Sequence, residues 1–319
     1  MTAPSPNVAV VGALEGRVAI VSGGGRGLGR AHALLLAAEG AKVVVNDLGT
    51  TIEGEPEASS SGRSPAHEVA EEIGRLGGEA VASTEDVTDF AAGERLVGTA
   101  LERFGRLDVL VNNAGNLRDR ALVRMGEEEW DAVIGVHLKG HFVPTRFAAA
   151  HWRAETKAGR PVDAAVINTT STSGLSGNPG QSHYGTAKAG LAAFTLIAAQ
   201  ELARYGVRVN AVSPVARTRM TETLPSLAKL LAPPTEPGAF DLWDPANVSP
   251  LVGYLAAPGC PVTGRVFFVQ GGRIHVFEPW TLGPGIEKPG RWTVEELAEE
   301  IPRLLAAEPG GLTRRRSER

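Results

Sequence analysis

Short apolar runs alternate along the chain with longer segments whose apolar residues recur at helical spacing. Arg17 to Ser22 (RVAIVS) is an apolar run stopped by glycines, as expected of a strand buried on both faces of a parallel sheet. Lys42 to Asp47 (KVVVND), Glu79 to Thr84 (EAVAST), Leu107 to Asn113 (LDVLVNN), Ala164 to Thr170 (AAVINTT), Val207 to Pro214 (VRVNAVSP) and Arg265 to Gln270 (RVFFVQ) read the same way. Between them lie a helix from Arg30 closed by Gly40, one through Val69, Ile73 and Leu76, and one ending near Gly105. A long helical region runs from Glu127 to Glu155, and another from Tyr184 to Tyr205. Seven strands alternating with helices predict an α/β fold: a doubly wound, parallel, seven-stranded sheet with helices on both faces. Ligands on such sheets sit beyond the carboxyl ends of the strands.

The pattern also divides the chain. Residues 1–15 form an N-terminal arm, residues 16–282 carry the sheet as a single domain, and residues 283–319 form a tail. Within the domain, residues 217–246 hold two proline breaks, Pro233-Pro234 and Pro237-Gly238, around a short apolar helix, LPSLAKLL. A long insertion after a strand end is expected to be a substrate lid. In the tail, Thr293-x-x-Glu296 reads as a capping box before Val294, Leu297, Ile301 and Leu304. The terminal RRRSER is expected to be a solubilising end.

Composition narrows the function classes. With 319 residues, 43% hydrophobic and 21% charged, the chain can bury a sizeable core. A net charge of −4 and 5% aromatic residues disfavour a nucleic-acid surface. Cys260 is the single cysteine, so an internal disulfide is excluded and no metal site is expected. No apolar run approaches the ~20 residues of a membrane span. The apolar stretch from Val8 to Leu14 lacks a preceding Lys or Arg, which makes a poor signal peptide and leaves the cytoplasm as the expected compartment.

SGGGRGLG (Ser22 to Gly29) links the first strand to the first helix, with glycines at Gly23, Gly27 and Gly29. Glycines let backbone N–H groups approach a pyrophosphate, and the helix N-terminus adds a favourable dipole. Gly23, Gly25, Arg26, Gly27, Leu28 and Gly29 are therefore candidate dinucleotide contacts. Asp47 ends the second strand, where an acid binds ribose hydroxyls and repels a 2′-phosphate; this favours NAD over NADP. Arg26 points the other way, because a basic residue inside the loop can hold that phosphate. Asp86 and Val87, after the third strand, are placed to flank the adenine, and a helix cap is the plainer alternative for the aspartate.

At this point the sequence resembles the short-chain dehydrogenase/reductase family, from Gly16 to about Leu282. The likeness rests on the glycine loop, Asn112-Asn113-Ala114-Gly115, Ser171, Tyr184-x-x-x-Lys188, and Asn210 with Pro214. The implied fold is Rossmann-type. VVVNDLG, NNAGNLRDRAL, VHLKGHF, GNPGQSHYGTAKAG and SPVARTRMT further resemble the NAD-dependent (3R)-hydroxyacyl-CoA dehydrogenase branch, found in the peroxisomal multifunctional enzyme of type 2 and bacterial stand-alone relatives. The resemblance implies catalytic roles for Ser171, Tyr184 and Lys188. It implies cofactor contacts from Asn113, Ala114 and Gly115, from Tyr184 and Lys188 at the nicotinamide ribose, and from Pro214, Val215 and Ala216 at the carboxamide. His137 stands where most family members carry Asn, whose main-chain carbonyl serves a proton relay. Histidine there matches the hydroxyacyl-CoA branch; direct acid–base work competes with simple packing.

The chemistry of these residues is coherent. Tyr184 and Lys188 are four apart on a helix and share a face. A phenol with a pKa near ~10 needs about 4 kcal/mol of differential stabilisation to act as a base near neutrality. A desolvated ammonium one turn away and the positive ring of NAD⁺ are the expected sources. Ser171 is expected to bond the reacting oxygen. The implied reaction interconverts a secondary alcohol and a ketone, with (3R)-hydroxyacyl-CoA and 3-oxoacyl-CoA as the leading pair in fatty-acid or steroid side-chain degradation. Alternatives are a 17β-hydroxysteroid, a 3-oxoacyl carrier protein, or a nucleotide-binding scaffold without turnover. Arg217 and Arg219 are candidate CoA phosphate contacts, and a solvated loop accounts for them equally well; Asp119 reads as a salt bridge or cap. The Tyr184–Tyr205 helix is apolar or small nearly all round, which predicts burial on several sides and a homodimer or homotetramer.

Overall fold

In the computed structural model, which describes residues 12–55, 63–219, 231–236, 238–278 and 280–306, the apolar runs become one sheet. The strands are β1 (Val18–Ser22), β2 (Lys42–Asn46), β3 (Ala80–Ser83), β4 (Val109–Asn112), β5 (Ala164–Thr169), β6 (Val207–Pro214), β7 (Val266–Gln270) and β8 (Arg273–Val276). Their order is β3-β2-β1-β4-β5-β6-β7-β8. The first seven are parallel, and β8 runs antiparallel to β7. The sheet thus has eight strands and is mixed, not seven-stranded and purely parallel as expected. Gln270 pairs directly with Arg273, leaving Gly271 and Gly272 as the hairpin turn. Gly271 has φ +53, a conformation that favours glycine. All of β8 is exposed, so its pattern carries no burial signal.

Helices cover both faces. They are α1 (Gly27–Ala38), α2 (Pro65–Arg75), α3 (Phe90–Phe104), α4 (Glu127–Ile134), α5 (Gly140–Lys157), α6 (Thr172–Ser176), α7 (Ser182–Leu202), α8 (Ser249–Ala256) and α9 (Val294–Ala306). Local chemistry sets several ends. Asp89 caps α3 by accepting from the Ala92 N–H at 2.6 Å, and Gly105 closes it at φ +78. The expected long helix from Glu127 is continuous in extent, but a π-helical turn over Gly135–Lys139 separates α4 from α5.

Alternation along each strand sorts the core into two layers. Ala19, Val21, Val43, Val45, Val109 and Val111 pack on one face, with Leu36, Ile73 and Leu255 from the helices. Val18, Ile20, Val44, Leu110 and Val166 pack on the other, with Leu96, Ala148 and Trp152. Burying each large side chain stabilises the fold by roughly 1.5–3 kcal/mol. Between β1 and β4 the strand order reverses direction, and the crevice for a ligand opens at that switch point.

The chain forms two units, Met1–Val276 and Phe277–Arg319. In the second, the expected capping box is present: Thr293 N–H donates to Glu296 Oε2 at 2.7 Å, and Glu296 N–H donates to Thr293 Oγ1 at 3.2 Å. Most of the N-terminal arm, RRRSER, and the LPSLAKLL helix except Leu231 lie outside the described residues.

Candidate active site

The loop after β1 lies against the turn after β4 with no room for a side chain between them. A Cβ on Gly23 (φ +62) would meet Ala114 Cα at 2.8 Å, and one on Gly29 would meet the Gly23 carbonyl oxygen at 2.0 Å. Asn113 stitches the two segments: its Nδ2 donates to the Ser22 and Gly23 carbonyls at 3.3 and 3.2 Å, and its N–H donates to Ser22 Oγ at 3.0 Å. Arg26 is the N-cap of α1, and no side chain caps that helix, so its first N–H groups point into the cleft as an anion seat. This cradle fits the pyrophosphate of a dinucleotide.

Asp47 is held by the same loop. Its Oδ2 accepts from Gly25 N–H at 3.0 Å and its Oδ1 from Gly49 N–H at 2.9 Å. The carboxylate therefore stands fixed in the cleft wall. Arg26 reaches the Thr50 carbonyl from Nη1 at 3.3 Å, beside it. Asp86 folds back on Thr88, accepting from its N–H and its hydroxyl at 2.8 Å each. Val87, 6% exposed, lines the same cleft. The cleft has a volume of about 910 Å³ and runs from the glycine loop, including Leu28, past Asn113, Ala114 and Gly115 to Pro214, Val215 and Ala216.

Ser171, Tyr184 and Lys188 meet on its floor. Ser171 ends β5 and caps α6, its Oγ accepting from Ser173 N–H at 3.2 Å. The Tyr184 phenol and the Ser171 hydroxyl line the cleft together, and the serine favours ionisation of the phenol. Lys188, 2% exposed, donates from Nζ to the Thr169 carbonyl at 2.5 Å and stands 5.7 Å from the centre of the Tyr184 ring. Burial lowers the ammonium pKa to about 7. Burial likewise raises the phenol above its ordinary value; the neighbouring Ser171 hydroxyl opposes this and the Asp119 charge adds to it. Desolvation dominates both groups, and it is the cost that the expected help from Lys188 and the NAD⁺ ring has to overcome.

His137 sits in the π turn, 2% exposed, with its ring edge-on to Tyr184 at 4.9 Å. Its Nε2 lies 2.7 Å from the Asn116 carbonyl and 3.1 Å from the Asn116 N–H. Burial, with Lys188 nearby, holds the imidazole well below its ordinary range, so it is neutral. A Cβ on Gly115 would fall 2.5 Å from His137 Cε1. Gly115 is thus the space that His137 fills.

The sequence left several contacts unread, including the buried partners of the motif residue Asn112. Asn112 Nδ2 donates to Thr145 Oγ1 and to Asn168 Oδ1, both at 2.9 Å, and Asn168 Nδ2 donates to Thr195 Oγ1 at 3.0 Å. This buried network ties β4 and β5 to α5 and α7 behind the floor. Its signal is an amide inside an apolar strand, which is costly unless paired. Gly174 was also missed: a Cβ there would meet the Ala189 nitrogen of α7 at 2.4 Å. Among the described residues Asp119 makes neither salt bridge nor cap but accepts from Gln181 Nε2 at 2.8 Å. Arg217 pairs with Asp241 and donates to the Leu231 carbonyl at 2.7 Å, anchoring the base of the 217–246 segment.

Residues 17–227 match the family model described as short chain dehydrogenase. The chain belongs to the short-chain dehydrogenase/reductase family. A crystal structure of a short chain dehydrogenase from Mycobacterium avium superposes with a TM-score of 0.82 at 51% identity, covering 93% of this chain and 98% of that one. The hydroxyacyl-CoA dehydrogenase ChsB1 of Mycobacterium tuberculosis is 43% identical over 282 residues, 86% of this chain and 84% of the relative. The peroxisomal multifunctional enzyme type 2 of mouse is 42% identical over 277 residues, 86% of this chain but 34% of that enzyme. The chain is accordingly an NAD(P)-dependent oxidoreductase acting on CH–OH groups.

Proposed function

We propose that this dehydrogenase oxidises (3R)-hydroxyacyl-CoA to 3-oxoacyl-CoA with NAD⁺, using Tyr184 as the base. The observation that carries the reading is the convergence of Ser171, Tyr184 and the buried Lys188, its Nζ 5.7 Å from the Tyr184 ring centre, on the floor of the cleft that begins at the glycine cradle. The likeness to a hydroxyacyl-CoA dehydrogenase along most of both chains supports the substrate class. The fixed carboxylate of Asp47 supports NAD, since it accepts from ribose hydroxyls and repels a 2′-phosphate.

The chain's own residues have distinct tasks. The first turn of α1 with Gly23 and Gly27 would hold the pyrophosphate, while Gly25 holds Asp47 in place; Asp47 would hold the adenosine ribose and Lys188 the nicotinamide ribose. When bound, the oxidised nicotinamide supplies a hydride acceptor and a positive charge. Ser171 donates its hydroxyl to the substrate oxygen and fixes C3 for reaction. Tyr184 as phenolate takes the hydroxyl proton; as phenol it returns a proton to the carbonyl oxygen in the reverse direction. His137, neutral and packed on the Tyr184 ring, sets the ring's plane. Arg217, at the start of the 217–246 segment, lines the cleft and is anchored to Asp241 and the Leu231 carbonyl.

A second copy completes the molecule in this reading. Phe142 of α5 and Ile197 of α7 are 43% and 54% exposed, and Phe142 stacks edge-on with Phe194 at 6.4 Å. An apolar face of that kind supports a homodimer or homotetramer.

The test is a panel of (3R)-hydroxyacyl-CoA chain lengths and hydroxysteroids assayed with NAD⁺ and NADP⁺. Turnover of hydroxyacyl-CoA with NAD⁺ is the expected result. A preference for steroids contradicts the substrate reading, and a preference for NADP⁺ contradicts the role given to Asp47.

A further inference from the structure

Asp119, in the segment after β4, and Gln181, at the N-cap of α7, lie beside the reacting groups and are joined to Ser171 by hydrogen bonds that can be followed atom by atom. Gln181 Nε2 donates to Asp119 Oδ2 at 2.8 Å. On its other side Gln181 Oε1 accepts from Ser173 Oγ at 2.8 Å and from Asn178 Nδ2 at 2.9 Å. Ser173 N–H donates to Ser171 Oγ at 3.2 Å, and Ser171 stands beside Tyr184 in the cleft lining. Asp119, Gln181, Asn178, Ser173 and Ser171 all line the cleft together with Tyr184.

The polarity of this chain is set at one end. A carboxylate only accepts, so Asp119 orients the Gln181 amide with its NH₂ toward itself and its oxygen toward Ser173. Ser173 then spends its hydroxyl proton on Gln181 and is pinned at the start of α6. Its N–H occupies one lone pair of Ser171 Oγ. The Ser171 proton stays free for the phenolate or the reacting oxygen. Reversing the amide would set NH₂ against the Ser173 and Asn178 donors and remove that order.

We infer that Asp119 and Gln181 are a positioning couple that fixes the Ser171 hydroxyl, and through it Tyr184, for proton transfer. The inference deepens the reading of Ser171 and Tyr184 proposed above and rests on it for its kinetic consequences. Asp119 also acts through its charge. The titratable or charged groups facing Tyr184 are Lys188 and His183 on α7, His137 in the π turn and Asp119 after β4. Asp119 is the anion among them, and removing its charge eases ionisation of the phenol.

The experiment compares Gln181→Leu, Asp119→Leu and Asp119→Asn with the unmodified protein, using NAD⁺ and the best substrate of the panel. Gln181→Leu and Asp119→Leu are expected to lose about tenfold or more in kcat while KM and the NADH dissociation constant, read by fluorescence, move less than about threefold. Asp119→Asn keeps an acceptor for Gln181, so its kcat loss is smaller than that of Asp119→Leu. Its pH profile for alcohol oxidation moves to lower pH. A titration of tyrosinate absorbance in chains with Tyr205 and Tyr254 changed to Phe reads Tyr184 without substrate, and Asp119→Asn lowers its midpoint. A Gln181→Leu protein with undiminished kcat, or an Asp119→Asn midpoint that stays or rises, overturns the inference. The titration needs no turnover, so it judges the couple even where Tyr184→Phe shows that the base lies elsewhere.

Discussion

Burial acts on Tyr184 and Lys188 in opposite directions: it raises the phenol and brings the ammonium down to about 7. Alcohol oxidation needs the phenolate, so its rate is expected to climb with pH; ketone reduction needs the phenol and falls over the same range. Rate profiles in both directions check this, and matching slopes would contradict it. Lys188 carries a separate stability signature. Its pKa in the fold, about 7, lies below the ordinary 10.5. Below the folded value the ammonium is charged in both states and its burial costs the fold in full; between the two values that cost is progressively relieved. Relative to Lys188→Met, the natural chain should therefore gain roughly 3 kcal/mol of unfolding free energy from about pH 6 to about pH 9. Urea unfolding at both pH values measures it. Gly115→Ala presses a methyl onto His137 Cε1, where the added Cβ would lie at 2.5 Å. It should cost about 1–3 kcal/mol of stability. It should also lower kcat through the displaced Tyr184 ring. The reacting residues were legible in the sequence because they stand at strand ends and at i, i+4 on a helix. The direction of the phenol shift was not, since it depends on how deeply the ring is buried.

Among elements, the strands were the most legible, because both faces of a parallel strand are buried and the chain shows this as an unbroken apolar run. β8 broke that rule by being exposed throughout, and only the Gly271-Gly272 pair advertised it. The π turn at Gly135–Lys139 was invisible for a different reason: it inserts one residue within a helix and shifts the faces without ending the apolar pattern. It is also the turn that delivers His137 to Tyr184. The Asn112–Asn168 pair shows how an element's polar residue can serve the site from behind. Asn112→Leu leaves the Asn168 and Thr145 partners short of a donor inside the core, so it should lower stability by about 1–3 kcal/mol. Urea unfolding of Asn112→Leu beside Asn112→Leu/Asn168→Leu tests the coupling; additive losses would contradict it.

For the whole molecule, the carboxyl edge of the sheet does the organising. β1, β4, β5 and β6 end side by side, so residues spread from Gly23 to Pro214 converge on one cleft. The proposed assembly predicts that Phe142→Glu combined with Ile197→Glu lowers the mass measured by light scattering; an unchanged mass would place the contact elsewhere. The central claim is narrower: the proton of the alcohol leaves through Tyr184. The direct measurement is Tyr184→Phe assayed for NADH formation alongside its nucleotide dissociation constant. The account predicts loss of about 10²–10⁴ in kcat with nucleotide binding retained. Turnover within about tenfold of the natural chain would contradict it.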